Sequence, residues 1–181
     1  FMNEFWNAYD ISLREGKYTH IAESPGKESP ILVDIDLKVR KTLLEERDLD
    51  YVYDESDVLT IVRSFQTNLK NILIDLKEEA LTCVLLEKSK SEIVVNGIDY
   101  VKNGFHLHFP KLFLSKSVQE IYLFPMVTKD IKSLFSRIDV TDCIDSNSLN
   151  VHWMLYGSNK PDNKPYIATK CYVDDCVESS F

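Results

Sequence analysis

The sequence predicts an α+β domain built on a split βαβ antiparallel sheet, and three patterns predict it. Apolar, β-branched runs at 31–37 and 81–86 and an alternating run at 104–110 have the length and period of strands. Apolar residues from 58 to 76, and again from 118 to 135, recur at intervals of three and four, the period of an amphipathic helix. A last strand reads at 151–156, giving the order strand, helix, strand, strand, helix, strand. That order belongs to ferredoxin-like and RNA-recognition-like sheets, which cover one face with helices and leave the other open.

Taken along the chain, residues 1–29 read as an N-terminal flap, with a short helix from Asn3 to Tyr9 and then the breakers Gly16, Pro25, Gly26 and Pro30. Residues 30–181 form the main domain. In the first strand Val33, Ile35 and Leu37 alternate with Asp34 and Asp36, so the two carboxylates leave the same face roughly 7 Å apart. Val58, Ile61, Val62, Phe65, Leu69, Ile72, Leu73 and Leu76 mark the first helix, with Asp54 or Ser56 as its cap. Leu81 to Leu86 is the second strand, followed by a polar loop from Glu87 to Asp99. In the third strand Phe105, Leu107 and Phe109 share one face, and His106 and His108 share the other. Ser115 or Ser117 opens the second helix, which Pro125 kinks or splits. Val151 to Tyr156 closes the pattern at Gly157.

Composition narrows the function classes. The chain has 181 residues, 44% of them hydrophobic, which suffices for one domain with a sizeable core. Its 21 basic and 29 acidic residues leave a net charge of −8, so a general basic coat for nucleic acid is excluded and any contact with it needs a local patch. Lys38, Arg40 and Lys41 after the acidic strand, and Lys111 and Lys116 after the histidine strand, are candidates for weak, salt-sensitive contact. Cys83, Cys143, Cys171 and Cys176 contain no C-x-x-C pair and are expected to be free and reduced, as in an intracellular protein. No apolar run approaches the ~20 residues of a membrane span, and no secretory signal opens the chain. Phe1 ahead of Met2 is read either as a cloning scar or as the mark of a domain cut from a longer chain.

Two carboxylates in an Ile/Leu/Val strand are costly to bury unless a cation compensates them. Asp34 and Asp36 are hard oxygen ligands suited to Mg²⁺ or Mn²⁺, which leaves the nearby His106 to hydrogen-bond a phosphate. Asp145 in Cys143-Ile144-Asp145-Ser146 is the candidate third carboxylate, with Asp139 and Asp142 competing. The turn Gly157-Ser158-Asn159-Lys160-Pro161 offers a hydroxyl and a cation to a triphosphate. Such a set serves a nucleotidyltransferase or a metal-dependent nuclease. A non-catalytic nucleic-acid-binding sheet would show aromatics where this face carries Asp34, Asp36, His106 and His108, and a D-x-D sugar transferase would need a longer chain.

In combination these phrases, above all Lys102-Asn103-Gly104-Phe105-His106-Leu107-His108-Phe109-Pro110 and Leu155-Tyr156-Gly157-Ser158-Asn159-Lys160-Pro161, resemble the catalytic domain of the archaeo-eukaryotic primases. The likeness is to the N-terminal primase domain of primase-helicases of nucleocytoplasmic large DNA viruses, of the asfarvirus and poxvirus type. It spans roughly residues 30 to 168, the first 29 adding little. The resemblance implies an RNA-recognition-like palm and two divalent ions, Mg²⁺ or Mn²⁺, on Asp34, Asp36 and Asp145. It also implies nucleoside triphosphate contacts from His106, Ser158, Lys160 and Lys102. It further implies a single-stranded DNA template and primer as partners, a C-terminal helicase in the parent chain, no membrane, and a place in viral DNA replication inside the host cell, cytoplasm before nucleus. The chain departs from the family at Gly104, where relatives carry serine, and at Met154, where many carry arginine.

Overall fold

The structure is a computed structural model that describes residues 1–17, 19–161 and 163–179. In chain order its elements are α1 (Met2–Arg14), β1 (Ala22–Glu23), β2 (Glu28–Arg40), α2 (Lys41–Glu46), α3 (Glu55–Ile72), β3 (Cys83–Glu87), β4 (Ser91–Val95) and β5 (Ile98–Ser115). There follow α4 (Lys116–Val118), a π-helical turn at Gln119–Leu123, α5 (Phe124–Ile131), β6 (Trp153–Met154), β7 (Ile167–Tyr172) and β8 (Glu178–Ser179).

The long strands β2 and β5 are the spine, antiparallel from Glu28 opposite Ser115 to Arg40 opposite Tyr100. The main sheet runs β2-β5-β3-β7-β8, with β4 also on β5. Since β5 is antiparallel to both neighbours, β2 and β3 are parallel, joined through α3 with β5 between them. This is the split βαβ unit that the element order predicts.

Alternation along β2 decides which face the helices cover. Ile31, Val33, Ile35, Leu37 and Val39 are buried against Val58, Ile61, Val62, Phe65 and Leu69 of α3 in one apolar core. Each such side chain stabilises the fold by roughly 1.5–3 kcal/mol. Phe65 lies 5.8 Å from Phe109 and 6.0 Å from Phe124, linking α3 to the sheet and to α5. The start of α3 is fixed by a capping box, Asp54 accepting from the Asp57 N–H and Asp57 from the Asp54 N–H. Asp57 is also paired with Arg137. Ser115 caps α4, and Pro125 follows directly on the π-helical turn at the start of α5, so the helical run is split at this proline as expected.

Three expectations are corrected. The segment 87–99 is not wholly loop: β4 folds back on β5 around Asn96 and Gly97, both at positive φ (52° and 77°), the requirement of a two-residue hairpin turn. The first helix runs to Arg14 rather than Tyr9. The strand expected at 151–156 shrinks to Trp153–Met154 and pairs with β1 in a separate two-stranded sheet. The last main-sheet strands are β7 and β8, and β7 lies beside β3 rather than β2. The free edge of β2 is taken by residues 143–145. Ile144 bridges to Ile35, the Asp36 N–H donates to the Cys143 carbonyl at 2.9 Å, and the Asp145 N–H donates to the Asp34 carbonyl at 2.9 Å. All four cysteines are free, and no helix among the described residues is long and apolar enough to cross a membrane.

Candidate active site

The open face of the sheet carries the polar side chains that the core-facing alternation leaves over. Asp34 stands directly opposite His106, which in turn stands opposite Leu86 of β3. Two pairs along, on the same face, Asp36 faces Gly104. These residues line a cavity of about 1000 Å³, together with Lys88, Lys102, Trp153, Lys160 and Tyr166.

Asp34 is mostly buried, and burial, followed by the nearby charges of Asp36 and Asp145, lifts its carboxyl to about 6 against the opposing pull of Lys88 and Lys102. Its Oδ1 lies 3.5 Å from His106 Nε2. That contact is not an ion pair at neutral pH: burial, then Lys88 and Lys160, pushes the imidazole down to about 3, so His106 is neutral. The ring is held by aromatic contacts, stacked on Tyr166 at 3.6 Å between centroids and edge-on to Trp153 at 4.8 Å. Trp153 is itself fixed by donating Nε1–H to the Ser148 carbonyl at 2.8 Å. A neutral imidazole in this setting offers a phosphate a hydrogen bond without adding charge.

Asp36 accepts an ion pair from Lys102 at 2.8 Å, and the Asp145 carboxylate accepts from the Asn147 N–H at 2.9 Å. With those side chains so engaged, no group of three His, Cys, Asp or Glu among the described residues is gathered tightly enough to hold a metal ion. The chemistry of the donors fits a hard divalent cation all the same. Asp34, Asp36 and Asp145 bring only oxygen ligands, and the mutual repulsion that lifts Asp34 is what such a cation removes. Asp139, a competing candidate, is held away from the cavity by an ion pair with Arg47 at 3.0 Å.

The remaining predicted contacts divide. Lys160 lines the cavity and acts electrostatically on His106 and Lys88. Ser158 is buried with its hydroxyl already engaged: Tyr9 Oη at 2.8 Å, Thr19 Oγ1 at 2.5 Å and the Ile21 N–H at 3.3 Å. Its place is in the knot that ties α1 and β1 to the turn after β6, rather than free toward a phosphate.

Two functional candidates escape the sequence. Lys88, at the end of β3, is half-buried in the cavity with its ammonium 4.3 Å from the Tyr166 ring centroid. Burial, then Lys102, lowers its pKa, and no carboxylate among the described residues lies within ion-pair distance of it. A lysine in a polar loop carries no signal until the fold turns that loop over a cavity. Tyr166 is equally silent in sequence, since nothing but the fold stacks it on a histidine 60 positions earlier.

The first 29 residues also do more than expected. Tyr9 Oη donates to the Tyr156 carbonyl at 2.8 Å, and a Cβ at Gly157 would meet Leu13 Cδ2 at 2.7 Å, so α1 is fitted closely against residues 156–158 and walls the cavity.

The family model for the C962R protein N-terminal AEP domain matches residues 1–172. The chain belongs to this archaeo-eukaryotic primase family. The match includes α1 and β1, in keeping with their packing and against the expectation that residues 1–29 add little. Among curated proteins, this AEP domain is 34% identical over 188 residues to "Putative helicase 184R" of Invertebrate iridescent virus 6, covering 92% of the chain and 19% of the relative. It is 32% identical over 184 residues to "Putative helicase 121R" of Invertebrate iridescent virus 3, covering 94% and 19%. Against "Putative helicase 022R" of Frog virus 3 it is 27% identical over 170 residues, covering 89% and 16%. The chain thus spans about a fifth of the length of these relatives.

The glycine at 104, where the resemblance leads one to expect serine, has a steric counterpart in the structure. A Cβ there would stand 2.1 Å from the Ile35 carbonyl oxygen and 3.3 Å from Asp36 Cα, so β2 and β5 approach where a serine could not fit unmoved. Met154, the second departure, sits in β6 opposite Ala22 and lines the cavity with an apolar side chain.

Proposed function

We propose that this domain is a DNA primase or primase-polymerase, which synthesises primers on single-stranded DNA by metal-dependent nucleotidyl transfer in the replication of a large DNA virus. One observation carries the reading: Asp34 and His106 are direct cross-strand partners on the open sheet face, with Asp36 beside them and the Asp145 backbone fastened to Asp34. Asp34, Asp36 and Asp145 would hold Mg²⁺ or Mn²⁺. Two such ions, when bound, supply activation of the primer 3′-hydroxyl and neutralisation of the leaving pyrophosphate. His106 donates a hydrogen bond to a phosphate from a ring locked by Tyr166 and Trp153. Lys88, Lys102 and Lys160 set cationic charge opposite the triphosphate. The split βαβ sheet serves as the palm, with residues 30–181 as its domain and 1–29 as its flanking flap. The relatives' names and their length support a helicase further along the parent chain, and with it a role at the site of viral replication in the host cell, the cytoplasm before the nucleus.

The deciding assay offers single-stranded DNA, Mg²⁺ or Mn²⁺, and ribo- or deoxynucleoside triphosphates to the full chain. New primers that require nucleotides support the proposal. Shortening of labelled DNA without nucleotides supports a metal-dependent nuclease, and binding with neither reaction supports a non-catalytic module. Two variants locate the phosphate grip. His106→Ala is expected to raise the nucleotide KM roughly tenfold, the worth of about one net hydrogen bond. Lys88→Ala is expected to raise it about 10- to 100-fold, as for a hydrogen bond to a charged group. Unchanged kinetics in either variant removes that residue from the site.

A further inference from the structure

We propose that α1 presents a base-stacking platform, Trp6 with Tyr156, on which the single-stranded template lies as it enters the cavity; this rests on the primase reading above. Trp6, Tyr9, Asp10 and Leu13 fall at intervals of three and four, so they share one helix face, and all four line the cavity that holds Asp34 and His106. Tyr9 and Leu13 are spent on attachment. The Tyr9 ring is buried with its hydroxyl on Tyr156 and Ser158, and Leu13 abuts Gly157.

Trp6 is spent on nothing comparable. It packs edge-on to Phe5 at 5.0 Å and to Tyr9 at 6.1 Å, which fixes the plane of the indole, yet it remains 45% exposed. Tyr156, carried on the segment α1 grips, is 52% exposed and lines the same cavity. Two exposed aromatics on one anchored wall are the arrangement that stacks nucleobases without regard to sequence.

Charge selects nucleic acid as the occupant. The cavity wall carries five lysines, Lys88, Lys90, Lys102, Lys160 and Lys164, against Asp10, Glu23, Asp34 and Asp36, in a chain whose net charge is −8. Lysines thus slightly outnumber carboxylates along this wall, in contrast to the whole chain, and they lie beside the aromatics and continuous with the residues assigned to phosphoryl chemistry. A polyanion with stacking bases satisfies both features, whereas an apolar peptide leaves the lysines unused. The patches expected at Lys38–Lys41 and Lys111–Lys116 are not needed for this contact.

The test measures binding of a fluorescein-labelled oligothymidylate to the full chain by anisotropy, without metal or nucleotide, for wild type, Trp6→Leu, Trp6→Phe and Tyr156→Leu. Trp6→Leu is expected to weaken binding roughly 5- to 100-fold, the range for loss of one stacked base, with Tyr156→Leu in the same direction and Trp6→Phe close to wild type. Thermal unfolding of each variant should match wild type, since both side chains are half exposed. Wild-type affinity in Trp6→Leu overturns the inference, as does a raised nucleotide KM with unchanged oligonucleotide affinity, which would put the incoming base on Trp6. Because binding is read without catalysis, either result leaves the priming assay to judge the primase reading separately.

Discussion

Asp36→Ala is expected to abolish primer synthesis, a fall of at least ~10³-fold in kcat, because a two-ion site that loses one carboxylate loses several kcal/mol of charge stabilisation at the leaving pyrophosphate. Asp34→Asn should be as severe, but it has a second signature. In the protein without metal, Asp34 is raised to about 6 from 3.8 by burial and by Asp36 and Asp145, so the fold prefers it protonated. The sign follows from linkage: the folded state holds this proton more tightly than the unfolded chain, so stability falls as pH rises from about 4 through about 6 and stays reduced above it. A displacement of about two pH units is worth roughly 3 kcal/mol at full effect, and partial exposure of the side chain lowers that to ~1–2 kcal/mol. Metal-free Asp34→Asn should therefore be more stable than wild type by ~1–2 kcal/mol at pH 7.5 and equal to it near pH 4. Urea unfolding at the two pH values decides it. A variant no more stable at pH 7.5 would show that Asp34 is not the strained member of the set, and wild-type priming by Asp36→Ala would remove the carboxylates from the chemistry.

Gly104→Ser should be the most damaging single change away from the carboxylates. It installs the serine that the resemblance leads one to expect there, and on resemblance alone it would be harmless or beneficial. The geometry here opposes it: the added Cβ falls 2.1 Å from the Ile35 carbonyl, and backbone rather than a flexible side-chain tip must move. Overpacking of this kind costs ~1–3 kcal/mol. The shift also falls at the pairing of Gly104 with Asp36, two pairs from the Asp34–His106 contact. Loss of several degrees in Tm with a drop in kcat is the expected result. A Gly104→Ser protein with wild-type melting and activity would mean that β2 and β5 separate more easily than their thirteen paired positions imply.

Alternation and helical period were enough to place β2, α3 and the centre of β5, because each buries one face and hydrophobicity records which, and β3 was placed by a short, uniformly apolar run. The same alternation put Asp34, Asp36 and His106 on one side of the sheet. The β4 hairpin was also written in the chain, in Asn96-Gly97 between apolar residues, but the surrounding polar residues obscured it. β7 gave no such pattern: Ala168 is half-buried on the open side, Lys170 is half-buried on the helix side where it pairs with Glu55, and Ile167 is exposed, so its inward face is not marked by polarity.

What the sequence determined by itself was therefore local, the elements and the facing of residues within each, since a strand or helix imposes its period on its own neighbours. Tertiary structure decided everything that depends on distant segments meeting. It set residues 143–145 against the edge of β2, bringing Asp145 to Asp34, and it stacked Tyr166 on His106. It turned Lys88 over the cavity, locked the Ser158 hydroxyl into the α1 knot and made that helix a wall of the site. Those pairings are chosen by the burial and hydrogen bonding of the whole sheet, and no short window of sequence contains that balance.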